Sequence, residues 1–109
     1  MKYLIATATL AVLLTGRTTA TIHTISNLGN SFSPATLTIN LGDTVVFSIA
    51  GIHNVVEVSQ TTWNANGNTQ LPGGFSRGFG GGMVVITTTG IHYYVCSPHA
   101  SVGMKGTIT

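Results

Sequence analysis

The sequence predicts an all-β fold, a Greek-key β-sandwich of about seven or eight short strands. Three observations carry that expectation. β-Branched residues recur in short runs between Gly, Asn and Pro, the pattern of strands joined by turns, which argues against a helical bundle. Charged residues make up 6% of the chain against 43% hydrophobic, so it is too apolar and too weakly charged for disorder. Its 109 residues fit one small domain and leave no room for a second catalytic module.

The first element is an export signal rather than part of the fold. Lys2 supplies a positive start, Leu4 to Leu14 is a short apolar stretch, and Thr18-Thr19-Ala20 ends in a small residue suited to cleavage. The apolar run is too short to span a bilayer comfortably. After Leu14-Thr15-Gly16 stands Arg17, where a lipid-bearing cysteine would have to be, so release is expected rather than anchoring. Residues 1–20 are thus read as a signal peptide, 21–109 as the working domain, and the location as periplasmic or extracellular.

Within that domain the strands follow in order. Thr21 to Leu28 is the first, and Thr36-Leu37-Thr38-Ile39 alternates polar with apolar as a half-buried strand should. Leu41-Gly42-Asp43 supplies a turn. Thr44 to Ile49 reads as a central strand and Val55 to Val58 follows Gly51. From Ser59 to Gly82 regularity is lost, and the Asn- and Gly-rich stretch reads as a long surface excursion. Its Gly78-Phe79-Gly80-Gly81-Gly82 run has no Lys-Ser or Lys-Thr after it and no helical pattern, so it is no phosphate loop. Met83 to Thr87 and Ile91 to Val95 flank a turn at Thr89-Gly90, and Lys105 to Thr109 closes the fold.

The formal net charge of +2 includes Lys2 and Arg17 of the export segment. Beyond it, Arg77 and Lys105 cancel Asp43 and Glu57. A neutral domain lacks the basic stripe that a phosphate backbone requires, so neither nucleic acid nor a charged membrane surface is an expected partner.

Cys96 is the most informative residue. A single cysteine cannot form an internal disulfide, and in an oxidising compartment a free thiol is a liability unless buried or coordinated. It lies in Cys96-Ser97-Pro98-His99-Ala100-Ser101-Val102-Gly103-Met104, which offers a thiolate, an imidazole and a thioether within nine residues. His53, on another part of the chain, adds a second imidazole. Two His, one Cys and one weak axial Met suit copper moving between its two oxidation states, since sulfur favours Cu(I) and imidazole satisfies Cu(II).

This segment resembles the blue copper proteins, or cupredoxins, and most closely the plastocyanins, in its Cys-x2-His-x4-Met spacing and in His53-Asn54 upstream. Looser likeness runs through Phe32-Ser33-Pro34, Leu41-Gly42-Asp43 and Gly106-Thr107-Ile108, so it covers most of the chain from about Thr21. The resemblance implies a cupredoxin-like domain of an exported bacterial protein holding one type 1 copper ion. His53 and His99 would supply nitrogens, Cys96 the short thiolate bond and Met104 the long axial contact. Asn54 would tie the His53 strand to the loop near Ser97, and Pro98 would withhold a backbone donor from the sulfur. It further implies a monomeric one-electron carrier, with His99 as electron port inside an apolar ring of Pro98, Ala100 and Val102 that meets redox partner proteins. Val95 stands where plastocyanins usually carry Tyr, and two acids make no acidic docking patch. Copper reductases and oxidases of this fold need further His clusters than four histidines allow.

Other readings compete. Cys96 could be a nucleophile with His99 or His53 as base, although Met104 then has no role and no oxyanion site is evident. The same ligands could store or deliver copper, or the sandwich could be a secreted binding module. His23 and His92 fall in alternating strands, where solvent-facing or cross-strand roles are expected. Of Tyr93 and Tyr94 one should point inward. Trp63 covers the core edge or meets a partner, Glu57 is either a surface residue or a paired buried acid, and Met83 is expected to pack.

Overall fold

The structure, a computed structural model, describes residues 19–109. All but the last two residues of the expected signal peptide lie outside the described residues. Among the described residues nine strands form two mixed sheets: β1 (Ile22–Leu28), β2 (Ser31–Ser33), β3 (Thr36–Leu37), β4 (Thr44–Ser48), β5 (Val55–Val58), β6 (Ser76–Arg77), β7 (Gly81–Val85), β8 (His92–Val95) and β9 (Lys105–Ile108). One sheet has the order β2-β1-β4-β7 and the other β3-β9-β8-β5-β6. β1 runs parallel to β4 and β3 parallel to β9, while the remaining neighbours are antiparallel.

The sandwich follows from alternation. Ile25, Val45, Phe47 and Val84 of the first sheet meet Val55, Tyr94 and Ile108 of the second in one buried cluster, which also takes in Cys96 and Met104. Burying these apolar side chains is the main stabilising contribution, roughly 1.5–3 kcal/mol for each large one. Tyr94 sits at the centre, its ring edge-on to Phe32 and Phe47 with centroids 4.9 and 5.2 Å away. Burial pushes its phenol pKa well above the ordinary 10. Opposite it Gly106 must lack a side chain, because a Cβ there would collide with the Tyr94 hydroxyl.

The stretch from 59 to 82 is more ordered than expected. It contains a one-turn helix, α1 (Gln60–Asn64), whose cap Ser59 accepts Thr62 N–H on its Oγ at 3.1 Å. α1 lays Trp63 over the outer face of the second sheet, against a second cluster of Val56, Val58, Val95 and Ala100. β5 is consequently buried on both faces. Trp63 therefore covers the core edge, donating from Nε1 to the Gly106 carbonyl at 3.0 Å with Lys105 Nζ 4.0 Å over its ring. Strand β7 starts two residues before the expected Met83, since Gly81 and Gly82 pair with Ser48 and Phe47. A Cβ at Gly81, at φ +86°, would strike the Phe47 carbonyl. Met83 is 62% exposed rather than packed. As expected for adjacent strand residues, Tyr94 points inward and Tyr93 lies on the other face.

Candidate metal centre

Three segments hold His53. It follows a turn closed by His53 N–H to the Ala50 carbonyl at 3.0 Å, its own carbonyl accepts Gly80 N–H at 2.9 Å, and it is 1% exposed. The ring contact with the Gly29 carbonyl, 3.0 Å from Nε2, decides its tautomer. A carbonyl only accepts, so Nε2 carries the proton and Nδ1 presents a lone pair.

Cys96 follows the last residue of β8, and Ser97–Val102 then form a 3-10 helix that Gly103 ends in the left-handed conformation, φ +87°. Pro98 lies in its first turn, where a missing N–H costs nothing. The loop closes on itself through His99 N–H to Cys96 O at 3.1 Å, Met104 N–H to His99 O at 3.1 Å and Cys96 N–H to Met104 O at 3.0 Å. Ser97 N–H donates to Asn54 Oδ1 at 2.7 Å, bridging from the residue after His53 to the residue after Cys96. Cys96 and Met104 are fully buried, and His99 is half-buried.

The two segments bring three donor atoms together. Cys96 Sγ lies 3.6 Å from His53 Nδ1 and 3.4 Å from His99 Nδ1, and the two nitrogens are 3.2 Å apart. A point about 2 Å from all three atoms lies at the centre of such a triangle, close to the ~2.0–2.1 Å and ~2.3 Å at which imidazole and thiolate bind a metal. Converging lone pairs at these distances repel unless a proton or a cation sits among them, and the donor set is the one that suits copper. Among the described residues this is the group of His, Cys, Asp and Glu side chains that could hold a metal ion.

The other histidines are elsewhere. His23 Nε2 contacts Asp43 Oδ2 at 2.9 Å, and His92 Nδ1 contacts Glu57 Oε2 at 2.7 Å, so Glu57 is a paired buried acid. Residue patterns had no means of marking the Gly29 carbonyl or the Gly80 amide that hold His53, since backbone groups carry no residue identity. Asn68, whose Nδ2 donates to the Ser97 carbonyl at 3.2 Å, lay hidden in the Asn-rich stretch. Of the expected apolar ring, Pro98 and Val102 are exposed, but Ala100 is 2% exposed and packs inward under the second cluster. Exposed apolar residues next to the His53 contacts are Leu28, Ile52 and Phe79.

A two-sheet β-sandwich with two imidazoles and a thiol converging at one end defines a mononuclear copper protein of the cupredoxin type. Residues 19–109 match the copper binding proteins, plastocyanin/azurin family. A plastocyanin from Prochlorothrix hollandica is 36% identical over 86 residues, which cover 72% of this chain and 61% of that protein. The chain thus spans about three fifths of that relative's length. Among solved structures, spinach plantacyanin is similar at a TM-score of 0.62 and 26% identity, covering 81% of this chain and 97% of that one. Pseudoazurin from Methylobacterium extorquens AM1 shares the fold at a TM-score of 0.62 and 21% identity, over 81% of this chain and 73% of that one. The chain belongs to the plastocyanin/azurin family of copper-binding proteins. Its cofactor is copper, and His53, Cys96, His99 and Met104 form a site of the type 1 copper kind.

Proposed function

We propose that the protein is a one-electron carrier that shuttles between redox partners, with His53, Cys96, His99 and Met104 as the copper ligands. The observation that carries this reading is the triangle of Nδ1, Nδ1 and Sγ atoms, with the His53 proton held away from it by the Gly29 carbonyl. Bound copper would supply the Cu(I)/Cu(II) couple. The chain's own residues keep the donor geometry nearly fixed in both states, which limits reorganisation. His53 is clamped by the Gly29 and Gly80 backbones, and Asn54 couples that clamp to the cysteine loop through Ser97. Pro98 has no N–H to give the sulfur, which favours the reduced state.

His99, half-buried beside exposed Pro98, is the electron port. Exposed Leu28, Ile52, Phe79 and Val102 supply an apolar rim for brief contacts with partner proteins. We further propose that residues 1–20 direct export and are removed, that the protein works as a monomer in the periplasm or outside the cell, and that it catalyses no reaction of its own. Among the described residues no helix is long and apolar enough to cross a membrane.

Adding Cu(II) to the purified protein tests the reading. Intense visible absorption that disappears in Cys96→Ser, with reversible one-electron voltammetry, is expected. A colourless protein whose thiol still reacts with alkylating reagents in the presence of copper supports the nucleophile instead. A coloured protein with sluggish, irreversible voltammetry supports copper storage or delivery.

A further inference from the structure

At the start of β1 the amide of Thr21 meets a buried carboxylate. Thr21 N–H donates to Asp43 Oδ1 at 2.9 Å, and Asp43 is 2% exposed. The second carboxylate oxygen accepts His23 Nε2 at 2.9 Å and Asn40 N–H at 3.0 Å. The Thr21 carbonyl accepts Thr44 N–H at 3.0 Å, so Thr21 is fixed on both sides of its Cα. Thr21 is exposed and directly precedes β1, and Thr19 and Ala20 before it are likewise exposed and outside any strand. The chain leaves the fold at the residue whose nitrogen touches Asp43.

Among the described residues no permanent cation faces that carboxylate. Arg77 donates to the Met83 and Ser76 carbonyls and Lys105 to the Trp63 carbonyl. The cleft beside Asp43 is lined by Thr19, Ala20, Asn40 and Leu41, none of them charged. His23, on β1, is the one titratable side chain among the described residues in contact with Asp43.

We infer that Asp43 is a built receptor for the chain's own new terminus: cleavage after Ala20 turns the Thr21 amide into an α-ammonium that ion-pairs with the buried carboxylate. The inference rests on the proposed export signal. Hydrolysis of the Ala20–Thr21 bond adds one water, leaving a carboxylate on Ala20 and an amine on Thr21 that takes up a proton at neutral pH. One neutral N–H donor becomes a cation at the same place, and charge-assisted bonds are shorter and roughly twice as strong as neutral ones. Processing thereby locks β1 onto β4, and the unprocessed chain lacks the lock.

The test uses the copper-loaded protein in two forms, beginning at Thr21 and at Ala20, each with and without Asp43→Asn. The Thr21 form is expected to have the higher urea midpoint at pH 7. The gap should close in Asp43→Asn, and also at high pH as the ammonium loses its proton. Its α-amino group, followed by NMR, should titrate at least about one unit above the ~7.7–8.0 of a free chain end. If Asp43→Asn does not fold, that titration decides alone. Equal midpoints together with an α-amino group that titrates like a free end overturn the pairing. Mass spectrometry of the exported protein reads the cleavage separately: a start other than Thr21 overturns the export reading, and with it the pair in the cell.

Discussion

The four histidines divide into two kinds, and what each ring faces decides its chemistry. His23 and His92 face carboxylates, Asp43 at 2.9 Å and Glu57 at 2.7 Å, whereas His53 and His99 face the Cys96 sulfur at 3.6 and 3.4 Å. The chain has two acidic residues in all, and both serve as partners of the first kind. His92 has acceptors on both sides, Glu57 Oε2 and the Thr88 carbonyl, so a doubly protonated ring satisfies both. Burial works against that charge, but the Thr88 carbonyl and Glu57 outweigh it and hold the His92 pKa above the ordinary 6.5. His53 has its carbonyl on one side only and turns a lone pair to the sulfur on the other. One residue type thus serves as a partly exposed partner of a carboxylate at one place and as a metal donor at another.

The largest effect should come from removing the sulfur. Cys96→Ser is expected to abolish the visible absorption and the stabilisation by added copper, which reaches about 4 kcal/mol when free metal exceeds the dissociation constant a thousandfold. Thermal melts with and without copper check this. An undiminished gain in the variant would mean that the two kinds of histidine do not differ in metal binding. Next, Glu57→Gln should lower stability by about 2 kcal/mol, because it removes the charge opposite His92 and weakens the acceptor of Phe75 N–H at 3.1 Å. Its copper spectrum should stay unchanged.

The pH profile separates the two acid pairs. His92 has a raised pKa when folded, so its contribution is fully present below pH 6.5. It is lost as pH rises through the raised value. Asp43 behaves in the opposite sense: the Thr21 amide, His23 and the Asn40 amide lower its pKa. Its contribution is present above the ordinary 3.8 and lost as pH falls through the lowered value. Urea midpoints measured across pH should therefore fall at both ends, and Glu57→Gln should flatten the alkaline fall alone.

How much of this was legible in the sequence depended on length and on residue identity. Val55–Val58 has the expected bounds because four apolar or paired residues stand between clear turns. β2, β6 and α1 were missed because two to five residues are too few to display a period of 2.0 or 3.6. Gly81 and Gly82 read as loop, yet both pair in β7, and at Gly81 only a bare backbone can lie against the Phe47 carbonyl. Local spacing marks out Cys96, His99 and Met104 on one loop. His53 lies 43 residues from Cys96, and its two backbone clamps have no signature at all.

The smallest effect concerns two asparagines that grip the same residue. Asn54 Oδ1 accepts Ser97 N–H at 2.7 Å in a part-buried setting, while Asn68 Nδ2 donates to the Ser97 carbonyl at 3.2 Å in the open. An acceptor withdrawn from a sheltered amide leaves the amide unpaired, whereas water readily replaces a partner at the surface. Asn54→Ala should therefore cost about 1 kcal/mol and Asn68→Ala no more than about 0.5 kcal/mol, measured by urea unfolding. Asn54→Asp, which keeps an oxygen toward Ser97, should recover most of the loss. If Asn68 proves the costlier of the two, the loop after Cys96 is held from the 59–82 stretch rather than from the His53 strand, and the copper site is then built on that stretch as much as on the sheet.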